Sequence, residues 1–283
     1  MEIKFTKMHG CGNDYVYING FTEHIDADKK PEFIRQVSHR HFGIGSDGVI
    51  FINPSDVADF EMEMWNADGT RAEMCGNGIR CVGKYVYDYG LTDKTEIDVV
   101  SFGAVKKLKL FVKGGKVEKV RVNMGKPILK PADIPVKMGD LDEKVVNQSL
   151  WVAGKEYFVT CVSMGNPHAV TFIERCDDLD IEAIGPLFEN HEAFPKRINT
   201  EFVQIVDKEH VKMRVWERGT GETFACGTGC CATAVACFLN KKCGRSVEVE
   251  VLGGKINIEW DEKTDEIFMT GPATTVFDGV INY

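Results

Sequence analysis

The sequence predicts an α+β protein built as two similar halves. Three observations carry this prediction: a duplicated segment, alternating strands that run straight into glycine-rich turns, and helical spacing directly after each turn. MEMWNADGTRAEMCGNGIRC, ending at Cys81, aligns without a gap on MRVWERGTGETFACGTGCCA, ending at Ala232. Met62, Trp65, Cys75, Gly76 and Gly78 recur at a constant offset of 151 as Met213, Trp216, Cys226, Gly227 and Gly229. Upstream, Gly12-Asn13 before DYVYI is echoed by Gly165-Asn166 before PHAVTFI, at an offset of 153. Two matches at nearly one offset mark an internal repeat. Two like faces meeting would relate the cysteine turns by a pseudo-twofold axis.

Taken in order, PEFIRQVSHRHF (31–42) is expected as a helix. In FEMEMWN, Phe60, Met62 and Met64 alternate with acids, the period of a half-buried strand. Ile79, Val82 and Val86 then follow at helical spacing in GIRCVGKYVYDYG. Strands are expected at VKKLKLFV and VEKVRVNM. MGKPILKPADIPVKMGD, with three of the nine prolines, reads as the linker, with the boundary near Asn123. The second half offers a strand at YFVTCVSM, a helix at DIEAIGPLFENH and a strand at VKMRVW, where Val211, Met213 and Val215 alternate with bases. GCCATAVACFLN is small and apolar nearly all round and predicts a deeply buried helix, followed by strands at SVEVEVL and KINIEW.

Composition narrows the function. With 283 residues and 43% hydrophobic content, the chain has enough apolar side chains for real cores. Its formal charge of −9 disfavours a phosphate backbone, so small-molecule chemistry leads over nucleic-acid binding. No secretory signal is read in MEIKFTKMHGCGND, so the ten cysteines are expected to be reduced in a cytoplasmic protein. Nowhere do about 18 uncharged apolar residues run together, which argues against membrane insertion.

Each cysteine turn has the form strand, polar stretch, Cys-Gly-x-Gly, helix. The sulfur then sits where the first unpaired helical amides point, and the positive helix end is expected to lower its pKa from about 8.5 toward neutrality. Glycines on both sides let a ligand approach the backbone, and the same amides can hold a carboxylate. Two such turns facing each other would put thiols on opposite sides of one α-carbon, the layout that inverts a stereocentre: one sulfur takes the hydrogen and the other supplies one from the opposite face. The amides on the carboxylate would stabilise the enolate-like charge, and closure between the halves would exclude water.

Other readings of these residues are weaker. A buried cysteine is ordinarily a small core residue, which is the reading for Cys161, Cys176, Cys230, Cys231, Cys237 and Cys243. It does not explain a repeated pair. Zinc is disfavoured because no CxxC occurs. GIGSDG at Gly43 to Gly48 precedes a strand, and GTGCCA at Gly227 to Ala232 follows a polar stretch, so neither has the setting of a dinucleotide loop. A disulfide redox couple stays open.

MHGCGNDY, GIGSDG, NADGTRAEMCGNGIRC, SMGNPHAV, NTEFVQ, ERGTGETFACGTGCCA and the closing MTGPA resemble, in order and spacing, the signatures of the diaminopimelate epimerase family. The resemblance implies two α/β halves, each a mixed sheet curled into a barrel around a central helix. It divides the chain into 1–123, with 272–283 returning to it, and 124–271. It also implies a metal-free enzyme without pyridoxal phosphate or other cofactor, interconverting LL- and meso-diaminopimelate for lysine and peptidoglycan precursor synthesis, with a homodimer as its assembly.

Position by position, Cys75 resembles the base that deprotonates the LL isomer and Cys226 the acid that reprotonates the opposite face. His168 and Glu217 resemble the polar pair beside the thiols. Gly76, Asn77, Gly227 and Thr228 resemble the amides that grip the reacting carboxylate. Asn13, Asn66, Asn166, Asn199 and Arg218 resemble the set reading the distal amino acid group, where an ammonium needs carbonyl acceptors and a carboxylate an arginine fork. Some members carry glutamine where this chain has Gly48, so that contact is absent here. A proline or hydroxyproline racemase, whose substrate has no distal group to engage Arg218, and a non-catalytic amino-acid-binding thiol protein are the competing functions.

Overall fold

The computed structural model describes residues 2–72, 76–140 and 143–283. In chain order they form β1 (Glu2–Gly10), β2 (Asn13–Asn19), α1 (Lys30–Ser38), β3 (Gly48–Asn53), β4 (Phe60–Asn66), α2 (Gly76–Asp88), β5 (Glu96–Ser101), β6 (Ala104–Lys113), β7 (Lys116–Gly125), β8 (Gln148–Val152), β9 (Lys155–Ser163), β10 (Pro167–Phe172), α3 (Ile181–Glu189), β11 (Asn199–Ile205), β12 (His210–Glu217), β13 (Gly221–Glu222), α4 (Gly227–Leu239), β14 (Ser246–Val251), β15 (Gly254–Trp260), β16 (Ile267–Pro272) and β17 (Thr274–Asn282). The chain divides into two compact units, Met1–Val122 with Gly271–Tyr283, and Asn123–Thr270.

Both units follow one plan. In the first, neighbouring strands run β17, β1, β2, β3, β4, β5, β6, β7, with β2–β3 and β4–β5 parallel and the other joints antiparallel. In the second they run β8, β9, β10, β11, β12, β14, β15, β16, with β10–β11 and β12–β14 parallel at the corresponding places. Each parallel joint is bridged by a helix, since a parallel connection needs a crossover. The sequence repeat is thus a repeat of topology, with α2 and α4 at matching steps.

The helices divide the labour. α1 lays Phe33, Ile34 and Val37 against Val16, Ile18, Val49 and Phe51 on one face of the first sheet. α2 covers the other, where the Tyr17 hydroxyl donates to Gly78 O at 3.2 Å. Strands covered on both faces read as continuous apolar runs, which is why β3 is VIFI without alternation. α2 is buried from Gly76 to Val86, beyond the stripe its spacing suggests, because Arg80 and Lys84 find partners inside: Lys84 Nζ donates to Val117 O at 2.7 Å and pairs with Asp88 at 2.7 Å. α4 packs against β9, β10, β11, β14 and β15, so the second sheet wraps it and all but Thr228 of its first eleven residues are buried. Among the described residues no helix is long and apolar enough to cross a membrane.

Two expectations change. The helix expected to reach residue 42 stops at Ser38, because the Gly43 amide returns to His39 O and that of Ile44 to Val37 O, and a Cβ at Gly43 would lie 2.1 Å from Gln36 O. The proline-rich segment after β7 is no free spacer. Ile134 and Val136 are buried in the second unit's core with Val145, Leu150 and Phe188, and Ile128 bridges to Ser163.

Candidate functional site

α4 begins at Cys226. The residue is extended (φ −111°, ψ 111°) and serves as the N-cap: its Sγ accepts from the Gly229 amide at 3.4 Å and lies 3.4 Å from Thr228 Oγ1. The amides of Gly227 and Thr228 have no partner within the helix and point out of its first turn. The sequence led us to expect a thiol pulled toward neutrality. Instead burial, then the carboxylates of Glu217 and Glu201, push the Cys226 thiol well above its ordinary range, outweighing Thr228 and the Gly229 amide.

Glu217 ends β12 beside it. Thr223 Oγ1 donates to Glu217 Oε1 at 2.5 Å. Burial nevertheless holds this carboxyl above its ordinary value; Thr223, His168 and a bond to Cys226 work against that, and Glu201 adds to it. His168, the second residue of β10, has no exposed surface. Its Nδ1 faces Glu201 Oε1 at 2.7 Å and its Nε2 faces Asn166 Oδ1 at 3.0 Å. His168 sits opposite Asn199 in the β10–β11 register. The Asn199 amide bridges two backbone groups: Nδ2 donates to Pro167 O at 2.8 Å and Oδ1 accepts the Arg218 amide at 2.9 Å. Arg218 is exposed, with Nη1 on Lys196 O at 3.1 Å. The second unit thus gathers Cys226, Glu217, His168, Asn166, Asn199 and the Arg218 backbone into one neighbourhood.

In the first unit, Cys75 lies outside the described residues. Gly76 and Asn77 open α2, and buried Arg80 grips them through Nη1, at 3.1 Å to Gly76 O and 2.9 Å to Asn77 Oδ1. A Cβ on Gly10 would stand 2.8 Å from Asn77 O, so β1 passes tightly over that helix start. Asn13 pairs with Gly10 across β1–β2 and donates to Asp47 Oδ2 at 2.7 Å. Asn66 pairs with Gly48, is exposed and donates to Thr70 Oγ1 at 3.1 Å. At Gly48 an added Cβ would stand 1.9 Å from Trp65 O, so this backbone admits no side chain there without shifting.

Two residues escaped the sequence reading. Arg80 reads as the polar face of an amphipathic helix, yet it is fully buried, with Nε on Pro272 O at 3.1 Å. Glu201 reads as an outward strand residue. Its signal is a charge inside a strand buried at every position from Asn199 to Val203. Among the described residues no three His, Cys, Asp or Glu side chains cluster to hold a metal ion.

A family profile described as diaminopimelate epimerase matches residues 5–130 and 160–276. A diaminopimelate epimerase of Agathobacter rectalis is 56% identical over 285 residues, covering 99% of each chain. Among solved structures, a PhzF-family phenazine biosynthesis protein of Bacillus anthracis superposes with a TM-score of 0.72 at 14% identity, over 100% of both chains. A hydroxyproline epimerase of Agrobacterium vitis superposes with a TM-score of 0.69 at 12% identity, over 99% of this chain and 92% of the other. At such identities the two structures speak for the fold alone.

Proposed function

The chain belongs to the diaminopimelate epimerase family of isomerases, and we propose from that premise that it inverts one α-carbon of LL-2,6-diaminopimelate to the meso isomer with two cysteine thiols and no cofactor. In this direction Cys75 takes the α-proton and Cys226 gives its proton to the opposite face; in reverse the roles exchange. No atom is gained or lost, and each turnover leaves the two sulfurs with the opposite protonation. The amides of Gly76, Asn77, Gly227 and Thr228 hold the reacting carboxylate, where oriented N–H groups oppose the charge that develops as the proton leaves.

The observation that carries this reading is the place of Cys226: a buried thiol that caps the N-terminus of a buried helix, its Sγ on the Gly229 amide, where burial and then the Glu217 and Glu201 carboxylates favour its protonated form. A thiol next to amides that have no partner within their helix suits reprotonation of an α-carbanion. Glu217 and His168 tune the sulfur's charge. Asn13, Asn66, Asn166 and the Arg218 fork read the distal amino acid group. Asn199 belongs to the same set and also braces the backbone of Arg218. The same reading places the enzyme in the cytoplasm, supplying lysine and peptidoglycan precursors, and extends to a homodimer, which sedimentation would test.

The test is α-hydrogen exchange. In D2O with LL-diaminopimelate under reducing conditions, the meso product should carry deuterium at the inverted centre, and Cys75→Ser and Cys226→Ser should each lower turnover on the order of 10²–10⁴-fold. Full turnover in either variant, or turnover of proline and none of diaminopimelate, would overturn the reading.

A further inference from the structure

Glu201 is a carboxylate with no exposed surface, on a strand buried on both faces. Oε1 meets His168 Nδ1 at 2.7 Å, while Oε2 has no hydrogen-bond partner among the described residues. A Cβ built on Gly229 would stand 2.7 Å from Glu201 Oε1 and 3.3 Å from Cys226 Sγ, so the carboxylate lies under the first turn of α4 beside the sulfur. The other titratable groups that feel it are Cys161 on β9, whose thiol burial and Glu201 push up to about 12, and Glu217 on β12. A buried carboxylate using only half its acceptors is costly. Its one hydrogen-bond partner among the described residues is the His168 ring.

We propose that Glu201 is a positioning residue that accepts the Nδ1–H of His168 and thereby holds the ring with its Nε2 edge on Asn166. The inference rests on the reading of His168 and Cys226 as parts of the reaction site. A carboxylate behind an imidazole holds both its tautomer and its orientation, and loss of such a support is felt in the turnover step rather than in substrate binding. Gly229 is part of the same device, because any side chain there would displace Glu201 from beneath the cysteine turn.

The experiment follows the His168 ring by 15N NMR, together with steady-state kinetics and thermal melts, in the wild type, Glu201→Gln and Glu201→Asp. In the wild type the ring spectrum should show a proton on Nδ1, a measurement that needs no variant to fold. Glu201→Gln should shift the ring resonances and lower kcat on the order of 10–1000-fold with KM within about 3-fold, and Glu201→Asp should recover part of the loss. A bare Nδ1 in the wild type overturns the proposal. So does a Glu201→Gln enzyme with unmoved ring resonances and unchanged kcat, or one whose loss of activity only tracks its loss of folded protein. A wild type inactive on diaminopimelate but showing the Nδ1 proton and its shift in Glu201→Gln would sink the substrate reading and support the pair.

Discussion

Cys226 Sγ accepts the Gly229 amide at 3.4 Å, so the sulfur repeated in the sequence is also the N-cap of α4. One atom thus serves helix and chemistry, and the two roles separate by substitution. Serine is a strong N-cap. Cys226→Ser should keep the thermal midpoint while kcat falls on the order of 10²–10⁴-fold, the usual worth of a positioned proton donor. A melt that collapses with activity would mean the sulfur acts only through the fold.

Gly229→Ala should couple the same elements from the other side. Its Cβ would press on Glu201 Oε1 at 2.7 Å and on Cys226 Sγ at 3.3 Å. We expect roughly 1–3 kcal/mol of destabilisation in urea unfolding, in line with overpacked cores, with a fall in kcat as well. Wild-type stability and rate together would refute the contact.

The pH dependence of stability has a definite sign. Burial raises the Glu217 carboxyl above its ordinary value of 4.5, so the folded state binds this proton more tightly than the unfolded chain. The stability that results is fully present below the ordinary carboxylate value and is lost as pH rises through the raised one. Relative to Glu217→Gln, the wild type should therefore lose thermal stability as pH climbs above about 4.5, and the gap should level off once the carboxyl has ionised. A difference between the two that does not change with pH would contradict the assignment.

Asn199→Ala would remove both bonds that tie Pro167 O and the Arg218 amide to one side chain. Leaving buried backbone groups unmatched costs about 1–3 kcal/mol. A rise in KM is expected too, because the backbone carrying the Arg218 fork is released. Isothermal titration with diaminopimelate beside a urea melt would separate the two effects, and unchanged affinity would remove Arg218 from the binding set.

Much of this architecture was legible in local pattern, and the misses share a cause. α4 announced itself by small apolar residues on every side, and β4 and β12 by strict alternation. α1 was read too long because its end is set by amides turning back from Gly43 and Ile44, beyond the apolar period. Glu201 sits in a quoted motif yet kept its role hidden, since alternation cannot reveal a strand covered on both faces. The helix-end effect on Cys226 is local and visible; burial, and then the carboxylates of Glu217 on β12 and Glu201 on β11, reverse it, and sequence distance conceals them. For β1 and β17, no local signal could pair Glu2 with Asn282.

That last pairing governs the order of assembly. The second unit is one unbroken stretch of chain, whereas the first needs Gly271–Tyr283 to cover β1. On the ribosome, the portion made first must wait with a bare strand edge, a template for misplaced partners, until the final residues emerge. A released chain truncated after residue 270 should accordingly shield 123–270 from protease while 2–72 is cut, and the first unit would be the last to find its place.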